Sequence, residues 1–222
     1  MALVCVTLTE RDVGSTAALA EKLGCDVVEV RLDHMKDTSG LDGLGGIKQS
    51  LMVTCMPEWE GGLYKGMEEE RVSLLKSALK YADYVSIELR AEKRYRDELV
   101  MEAGKAGVKV VMAFHDFKST PRRHEIVDIL RREEEACADI AKVAFKPKNY
   151  SEALDVLKAQ VTAGLRIPVI ALSLGELGRV TRVVGPMLGG YMTFAAPSAD
   201  RKADAGQYTL EEMAEIRRLL WK

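Results

Sequence analysis

The stretch DIAKVAF, residues 139–145, places one lysine, Lys142, inside an apolar run. Such a run is typical of a strand that is buried on both faces of a parallel sheet. Burying an ammonium group there costs on the order of several kcal/mol unless the group is paired or loses its proton. Lys142 is therefore either a lysine that extends to water or to a carboxylate, or an amine kept neutral as a nucleophile.

Two further ionisable residues share the spacing of Lys142. Glu88 in SIELR and His115 in AFHDF are 27 residues apart (115−88), and so are His115 and Lys142 (142−115). If each step is one strand and helix unit, the three side chains lie at matching heights on adjacent strands. His115 alone is equally consistent with a core histidine, but the set favours a site.

The chemistry that this set could perform is covalent. An amine adds to a ketone or aldehyde to give an imine, whose protonated nitrogen acidifies the neighbouring carbon. His115 could remove that proton, since an imidazole both accepts and returns protons near neutral pH, and Glu88 could fix its tautomer. Glu29 and Arg31, in VEVRLDH, lie two residues apart on one strand face. They are equally consistent with a structural ion pair and with a substrate contact.

The elements that must position these residues recur along the chain. Eight short runs rich in β-branched and apolar residues predict strands at 3–8, 26–32, 51–56, 84–89, 108–114, 140–145, 167–172 and 190–195. Six segments between them have a helical period and helix-type ends: TERDVGSTAALAEKLG, MEEERVSLLKSALKYA, RDELVMEAGKAG, STPRRHEIVDILRREEEA, SEALDVLKAQVTAG and TLEEMAEIRRLLW.

Alternating strands and helices predict parallel units with right-handed crossovers. Eight such units close a (β/α)8 TIM barrel, an α/β fold that we expect to span residues 1–222 as a single domain. The segment between residues 32 and 50 is the weakest helix, so we expect it to be short or irregular. A doubly wound open sheet is disfavoured, because no GxGxxG turn follows the first strand.

Composition excludes several classes of partner. The chain has 32 Lys and Arg against 34 Asp and Glu, so no basic surface predicts binding to nucleic acid or to an anionic membrane. No apolar run is long enough to span a membrane, and the first residues do not have the pattern of a signal peptide. Four scattered cysteines without a CxxC pair indicate a reduced, cytoplasmic protein, and three histidines without zinc spacing disfavour a metal site.

Several motifs follow one another in chain order: VEVRLDH, EGG at 60–62, SIELR, FHDF, KVAFKPK, SLGELGRVTRVVG with TFA behind it, and AGQYTL. Together they resemble those of type I 3-dehydroquinate dehydratases, the Schiff-base enzymes of the shikimate pathway. The resemblance implies a (β/α)8 barrel that dehydrates 3-dehydroquinate to 3-dehydroshikimate. No metal or other cofactor is needed, because the iminium is the electron sink.

The resemblance also implies roles for individual residues. Lys142 would form the imine, His115 would act as the general acid and base, and Glu88 would support it. Among the substrate contacts, Arg182 of GRVTR would hold the carboxylate and Gln207 would reach in from the loop after strand 8. The remaining contacts would be Glu29 and Arg31, and the family implies a homodimer.

Two departures from the family pattern lie at the expected site. TCMPEWEGG has Met56 where the family often carries arginine at the end of strand 3. The last loop has ADAGQ, with Ala203 for the usual serine and Ala205 for the usual proline. Residues 197–208 show no apolar period, so we expect a mobile loop that covers the substrate.

Two alternative functions are consistent with the same residues. A class I aldolase on this fold would also use a strand lysine, and SLGELGRVTR could supply helix-terminal N–H groups to a phosphate. A barrel without catalytic activity would bind a metabolite but would form no covalent adduct.

Overall fold

Eight parallel strands form the inner wall of the computed structural model, which describes residues 2–221. The strands are β1 (Leu3–Leu8), β2 (Val27–Arg31), β3 (Ser50–Thr54), β4 (Tyr84–Glu88), β5 (Lys109–Asp116), β6 (Ile140–Phe145), β7 (Val169–Ser173) and β8 (Met192–Ala195). Each strand from β1 to β6 pairs with the next, and β8 pairs with β1. The backbone N–H of Tyr191, just before β8, donates to Val169 O in β7 at 2.9 Å. The predicted (β/α)8 barrel is confirmed.

Helices connect the strands on the outside. They are α1 (Val13–Ala20), α2 (Glu68–Ala78), α3 (Lys93–Ala106), α4 (Arg123–Glu135), α5 (Tyr150–Thr162), α6 (Gly175–Met187) and α7 (Leu210–Leu220). Between β2 and β3 the chain forms only two 3-10 turns, Leu32–His34 and Leu41–Gly46, as expected for that weak segment.

Helix α6 is absent from the six helical segments predicted from the sequence. It contains three glycines and Pro186, which all lower helix propensity. Packing explains one of the glycines, because a Cβ at Gly178 would lie 2.1 Å from the backbone oxygen of Ser173. The helix therefore lies closer to β7 than any other residue at 178 would allow, and tertiary packing outweighs its weak propensity.

The same kind of hydrogen bond recurs at alternate strands on the amino-terminal rim of the barrel. Asp26, Asp83 and Asp139 each precede an even-numbered strand. Their carboxylates accept the backbone N–H groups of Val4, Leu51 and Val110 in the preceding strand, at 2.7 to 2.8 Å. These bonds help to set the strand register at the rim opposite the predicted site.

Apolar side chains pack in two layers, one inside the barrel and one between the strands and the helices. In β6, Val143 and Phe145 lie in the outer layer, whereas Ile140 and Ala144 lie inside the barrel. Because neighbouring side chains alternate between faces, Lys142 points into the barrel with Ile140 and Ala144. The apolar run of β6 thus reflects burial on both faces.

The strand register corrects the expectation of matching heights. Glu88 pairs with Ala113, and Ala113 pairs with Lys142, so these residues share one row. His115 pairs with Ala144, two residues nearer the carboxyl end than Lys142. Equal spacing in sequence does not give equal height here, because helix and loop lengths and the stagger of a closed barrel also determine the register.

A glutamate without a partner lies beneath β6. Glu133 of α4 is fully buried, and neither oxygen of its carboxylate has a hydrogen-bond partner within residues 2–221. Burial raises the pKa of this carboxyl well above its usual value, and the backbone N–H of Lys142 and nearby charges do not reverse the shift. Burial therefore favours the neutral acid in the folded chain, whereas the unfolded chain ionises this carboxyl near its ordinary pKa of about 4.3.

Replacing Glu133 with methionine is expected to raise the free energy of unfolding at pH 8 by about 1–3 kcal/mol, the cost of an unsatisfied buried polar group. The folded pKa lies above the unfolded one, so the parent loses stability as pH rises past the unfolded pKa. Urea unfolding at pH 5 and pH 8 measures the effect, and the gain should be larger at pH 8. The exposed Glu135→Met is the matched control, and a gain that is equal at both pH values would contradict the assignment.

Within residues 2–221, no helix combines the length and the apolar character that crossing a membrane requires.

Candidate active site

A cavity of about 620 Å³, including its open mouth, lies at the carboxyl ends of the strands. Six of the residues predicted from the sequence line it: Glu29, Arg31, His115, Lys142, Arg182 and Gln207. Glu88, the seventh, does not line it. The barrel therefore gathers two candidate catalytic groups and four candidate contacts at one place.

Lys142 forms the floor of this cavity. Its side chain is 6% exposed, and Nζ lies 4.1 Å from the centroid of the Phe194 ring of β8. The aromatic face stabilises an ammonium or an iminium at this position by a cation–π contact. The amine thus lies between an aromatic ring and the polar side chains that line the cavity, and it remains open to a ligand from above.

His115 faces the same cavity and contacts a carboxylate that the sequence did not single out. Its backbone N–H donates to Glu60 Oε1 at 2.6 Å, and its Nδ1 lies 3.4 Å from the same oxygen. Glu60 Oε2 in turn accepts from Nε of Arg90 at 2.8 Å. Arg90 balances the charge of Glu60. Nδ1 of His115 makes no hydrogen bond among the described residues, but Glu60 lies close enough that a bond from Nδ1 would leave Nε2 for proton transfer.

The imidazole of His115 is neutral at physiological pH. Burial lowers its pKa, and the contact with Glu60 opposes this shift only in part, while the charge of Lys142 adds to it. A neutral imidazole with a free Nε2 can act as a base.

The expectation that Glu88 orients His115 is wrong in this structure. Glu88 is buried, and its Oε2 accepts from Nη1 of Arg71 at 2.7 Å, while the same nitrogen donates to Cys55 O. Burial raises the pKa of Glu88 to about 7 against the opposing charge of Arg71. Glu88 lies in the row of Lys142 rather than of His115, and its carboxylate contacts Arg71 of α2.

Glu60 was visible in the sequence only as part of EGG. The two glycines that follow are required by the turn, since Gly61 has a φ of +96°. A Cβ at Gly62 would lie 2.0 Å from the backbone oxygen of Met56. This tight turn after β3 brings Glu60 beneath His115, so a carboxylate before two constrained glycines was the signal.

Glu29 lies across the cavity on β2. Its two oxygens accept the hydroxyls of Thr7 at 2.7 Å and Thr54 at 2.9 Å. Burial would raise the pKa of Glu29, but the charges of Lys142 and Arg31 and the two hydroxyls outweigh it and hold the pKa low. Glu29 is thus a fixed anion that faces the amine.

Arg31 does not pair with Glu29 through a hydrogen bond. Its Nε and Nη2 donate to the two oxygens of Asp33 at 2.9 and 2.8 Å. Asp33 also accepts the backbone N–H groups of Met56 and Leu63, each at 3.1 Å. Met56 replaces the usual arginine with a thioether, whose sulfur lies 3.5 Å from Arg31 Nη2. The cavity therefore has one cation fewer at the end of β3.

Arg182 reaches the cavity from α6 and is 2% exposed. Its Nη2 donates to Asp204 Oδ2 at 2.8 Å, and its Nη1 donates to Phe194 O at 3.3 Å. Nε has no hydrogen-bond partner among the described residues. The guanidinium is therefore only partly satisfied by the protein.

Gln207 comes from the loop 197–208, which contains one short 3-10 turn, Ala199–Arg201. The side chain is buried, and Oε1 accepts the backbone N–H groups of Ala203 at 2.8 Å and Asp204 at 3.3 Å. Its amide nitrogen is then the group available to a ligand. The mobility of this loop stays a prediction.

Among residues 2–221, no group of three or more His, Cys, Asp or Glu side chains is placed to hold a metal ion.

An eight-stranded barrel with ionisable side chains at the carboxyl ends of its strands defines the chain as a (β/α)8-barrel enzyme. A family model described as Type I 3-dehydroquinase matches residues 4–221. The chain belongs to the type I 3-dehydroquinase family.

Relatives and solved structures agree with this assignment. The 3-dehydroquinate dehydratase of Desulfotalea psychrophila is 32% identical over 217 residues, covering 96% of each chain. That of Methanocaldococcus jannaschii is 32% identical over 98% of this chain and 99% of its own. A crystal structure of the Clostridium difficile type I enzyme superimposes with a TM-score of 0.91 at 27% identity, over 99% of this chain and 92% of its own.

Proposed function

We propose that the chain dehydrates 3-dehydroquinate to 3-dehydroshikimate through an imine on Lys142, as a hydro-lyase of the shikimate pathway. The observation that carries this proposal is a lysine inside the barrel, the one lysine among the described residues that line the cavity, with a neutral imidazole and its neighbour Glu60 beside it. The relatives named above carry the name of this activity. The Clostridium difficile structure contains covalently modified comenic acid.

The first steps of the reaction use Lys142. The unprotonated amine adds to the ketone carbon, and loss of the ketone oxygen as water leaves an iminium on Nζ. The ring of Phe194, 4.1 Å away, and the anion of Glu29 stabilise the positive charge that develops there. The iminium draws electrons from the adjacent carbon, so the reaction requires no metal or nucleotide.

His115 then moves one proton. It takes the proton from C2, and the electrons of the broken C–H bond move to the iminium nitrogen to give an enamine. The enamine expels the β-hydroxyl, which leaves as water with the proton that His115 returns. Hydrolysis of the conjugated iminium releases the enone and the free amine of Lys142.

The remaining contacts orient the substrate. Arg182 offers a guanidinium with an unsatisfied Nε, which suits the planar carboxylate of the substrate. Gln207, Arg31 and Glu29 line the other sides of the cavity and can bind its hydroxyls. Fixing the carboxylate sets which face of C2 meets His115.

One contact in the structure disfavours the aldolase alternative. A phosphate on this fold usually binds at the ends of β7 and β8, where a helix amino terminus supplies N–H groups. Here the first N–H of α6, at Gly175, donates to the carboxylate of Asp204 at 2.8 Å. An anionic side chain already occupies the place that a phosphate would need.

The proposal is tested by adding 3-dehydroquinate to the purified chain and following the absorbance of the enone product. Turnover is expected without added metal or nucleotide. Binding without turnover and without a borohydride adduct would instead support the barrel that lacks catalytic activity.

We further propose that residues 1–222 act as one catalytic domain, that the protein is cytoplasmic and that it forms a homodimer. The family resemblance supports the dimer, and sedimentation velocity of the purified chain tests it.

A further inference from the structure

The cavity has few cations to offer to an anionic ligand. Of the described residues that line it, three are lysine or arginine: Arg31, Lys142 and Arg182. Lys142 is needed as the nucleophile. A ligand carboxylate must therefore bind to one of the two arginines, and both already contact an aspartate of the protein.

The two arginine and aspartate pairs differ in how firmly they are held. The side chain of Asp33 is fully buried, takes both Nε and Nη2 of Arg31 and also accepts two backbone N–H groups. Asp204 has a side chain that is 19% exposed, lies on the loop 197–208 and takes only Nη2 of Arg182. The pair of Arg182 and Asp204 is thus the weaker of the two, and it is the one that a ligand carboxylate can more readily displace.

Asp204 leaves only part of the Arg182 guanidinium available to a ligand carboxylate. A carboxylate binds a guanidinium most strongly when it takes Nε and Nη2 together, as Asp33 does on Arg31. On Arg182 the Nε is buried without a partner, while Nη2 is held by Asp204. A ligand carboxylate that binds Nε and Nη2 of Arg182 must share Nη2 with Asp204 or displace Asp204. Two carboxylates that share one nitrogen lie close enough to repel each other.

We infer that Asp204 competes with the substrate carboxylate for Arg182 and so sets the affinity of this cavity for anionic ligands. The inference rests on the proposed function to the extent that the natural ligand is a carboxylate. Displacing Asp204 from Arg182 also releases the loop 197–208, because the same Asp204 carboxylate accepts the backbone N–H groups of Gly175 and Gly206. Residue 204 is a specificity-determining residue, since its charge penalises the anionic group.

Asp204→Asn tests the inference, because asparagine has the same shape and keeps an oxygen for the N–H of Gly175 while removing the charge. The probe is quinate, which has a hydroxyl in place of the ketone and so cannot form an imine. The uncharged control ligand is the carboxamide of quinate. Calorimetric titration should show quinate binding about 10-fold tighter to Asp204→Asn than to the parent, with the carboxamide unchanged.

Asp200→Asn is the matched control. Asp200 lies on the same loop, and its side chain contacts the hydroxyl of Ser198. Since it is solvent-exposed, its charge is screened, and quinate affinity should not change. In an Arg182→Gln background, Asp204→Asn should no longer tighten quinate binding, which ties the effect to the guanidinium.

Three results would overturn the inference: unchanged or weaker quinate binding in Asp204→Asn, an equal gain with Arg182 removed, or no binding of quinate by either protein. Dehydration of 3-dehydroquinate by the parent is measured separately. If the parent does not dehydrate 3-dehydroquinate but Asp204→Asn still binds quinate more tightly, the proposed function alone is refuted. If the parent is active but Asp204→Asn does not bind quinate more tightly, the competition between Asp204 and the substrate carboxylate alone is refuted.

Discussion

Lys142→Ala is expected to lower kcat for 3-dehydroquinate by at least about 10⁴-fold, because it removes the amine that forms the imine. The protein should stay folded, since an amine is costly to bury inside the barrel and its loss need not destabilise the fold. The absorbance of the enone measures turnover. Borohydride added during turnover should inactivate the parent and place a reduced adduct on Lys142, and the variant should show no adduct.

Lys148→Ala is the control, because this lysine follows the same strand but is exposed to solvent. It should keep both turnover and the adduct. An adduct whose mass maps to Lys146 or Lys148 in the parent would show that the nucleophile has been assigned to the wrong residue.

His115→Ala is expected to lower kcat by about 10² to 10⁴-fold, the usual contribution of a general acid and base. Imine formation depends on Lys142, so borohydride should still trap substrate on this variant. Mass spectrometry of the trapped protein and initial rates together separate the two steps. Turnover equal to that of the parent would rule out proton transfer by His115.

Two glutamate variants distinguish the carboxylate that acts on His115. The contact with Glu60 raises the pKa of His115, so Glu60→Gln should move the acidic limb of the kcat/KM profile to lower pH and reduce kcat. Glu88→Gln should instead lower stability, because it weakens the buried contact with Arg71, and should leave that limb in place. A shift of the limb in Glu88→Gln alone would restore the role first expected for Glu88.

Local sequence patterns were sufficient for most of the fold. All eight predicted strands are present, because a strand buried on both faces leaves an apolar run that differs from its surroundings. The segment between β2 and β3 is irregular as predicted. Helix α6 was not found, since its glycines and proline oppose a helix locally and only its close packing on β7 stabilises it.

The sequence by itself determined that an amine and an imidazole lie on neighbouring strands, because Lys142 and His115 belong to consecutive predicted strands. Only the tertiary structure decided which charged partners they and Arg182 have. Glu60 rather than Glu88 contacts His115, and Asp204 contacts Arg182. Both partners come from loops whose direction depends on turn geometry and register. Residue spacing sets the order of side chains along one strand, whereas contacts between separate loops form only when the closed barrel brings the ends of its strands together.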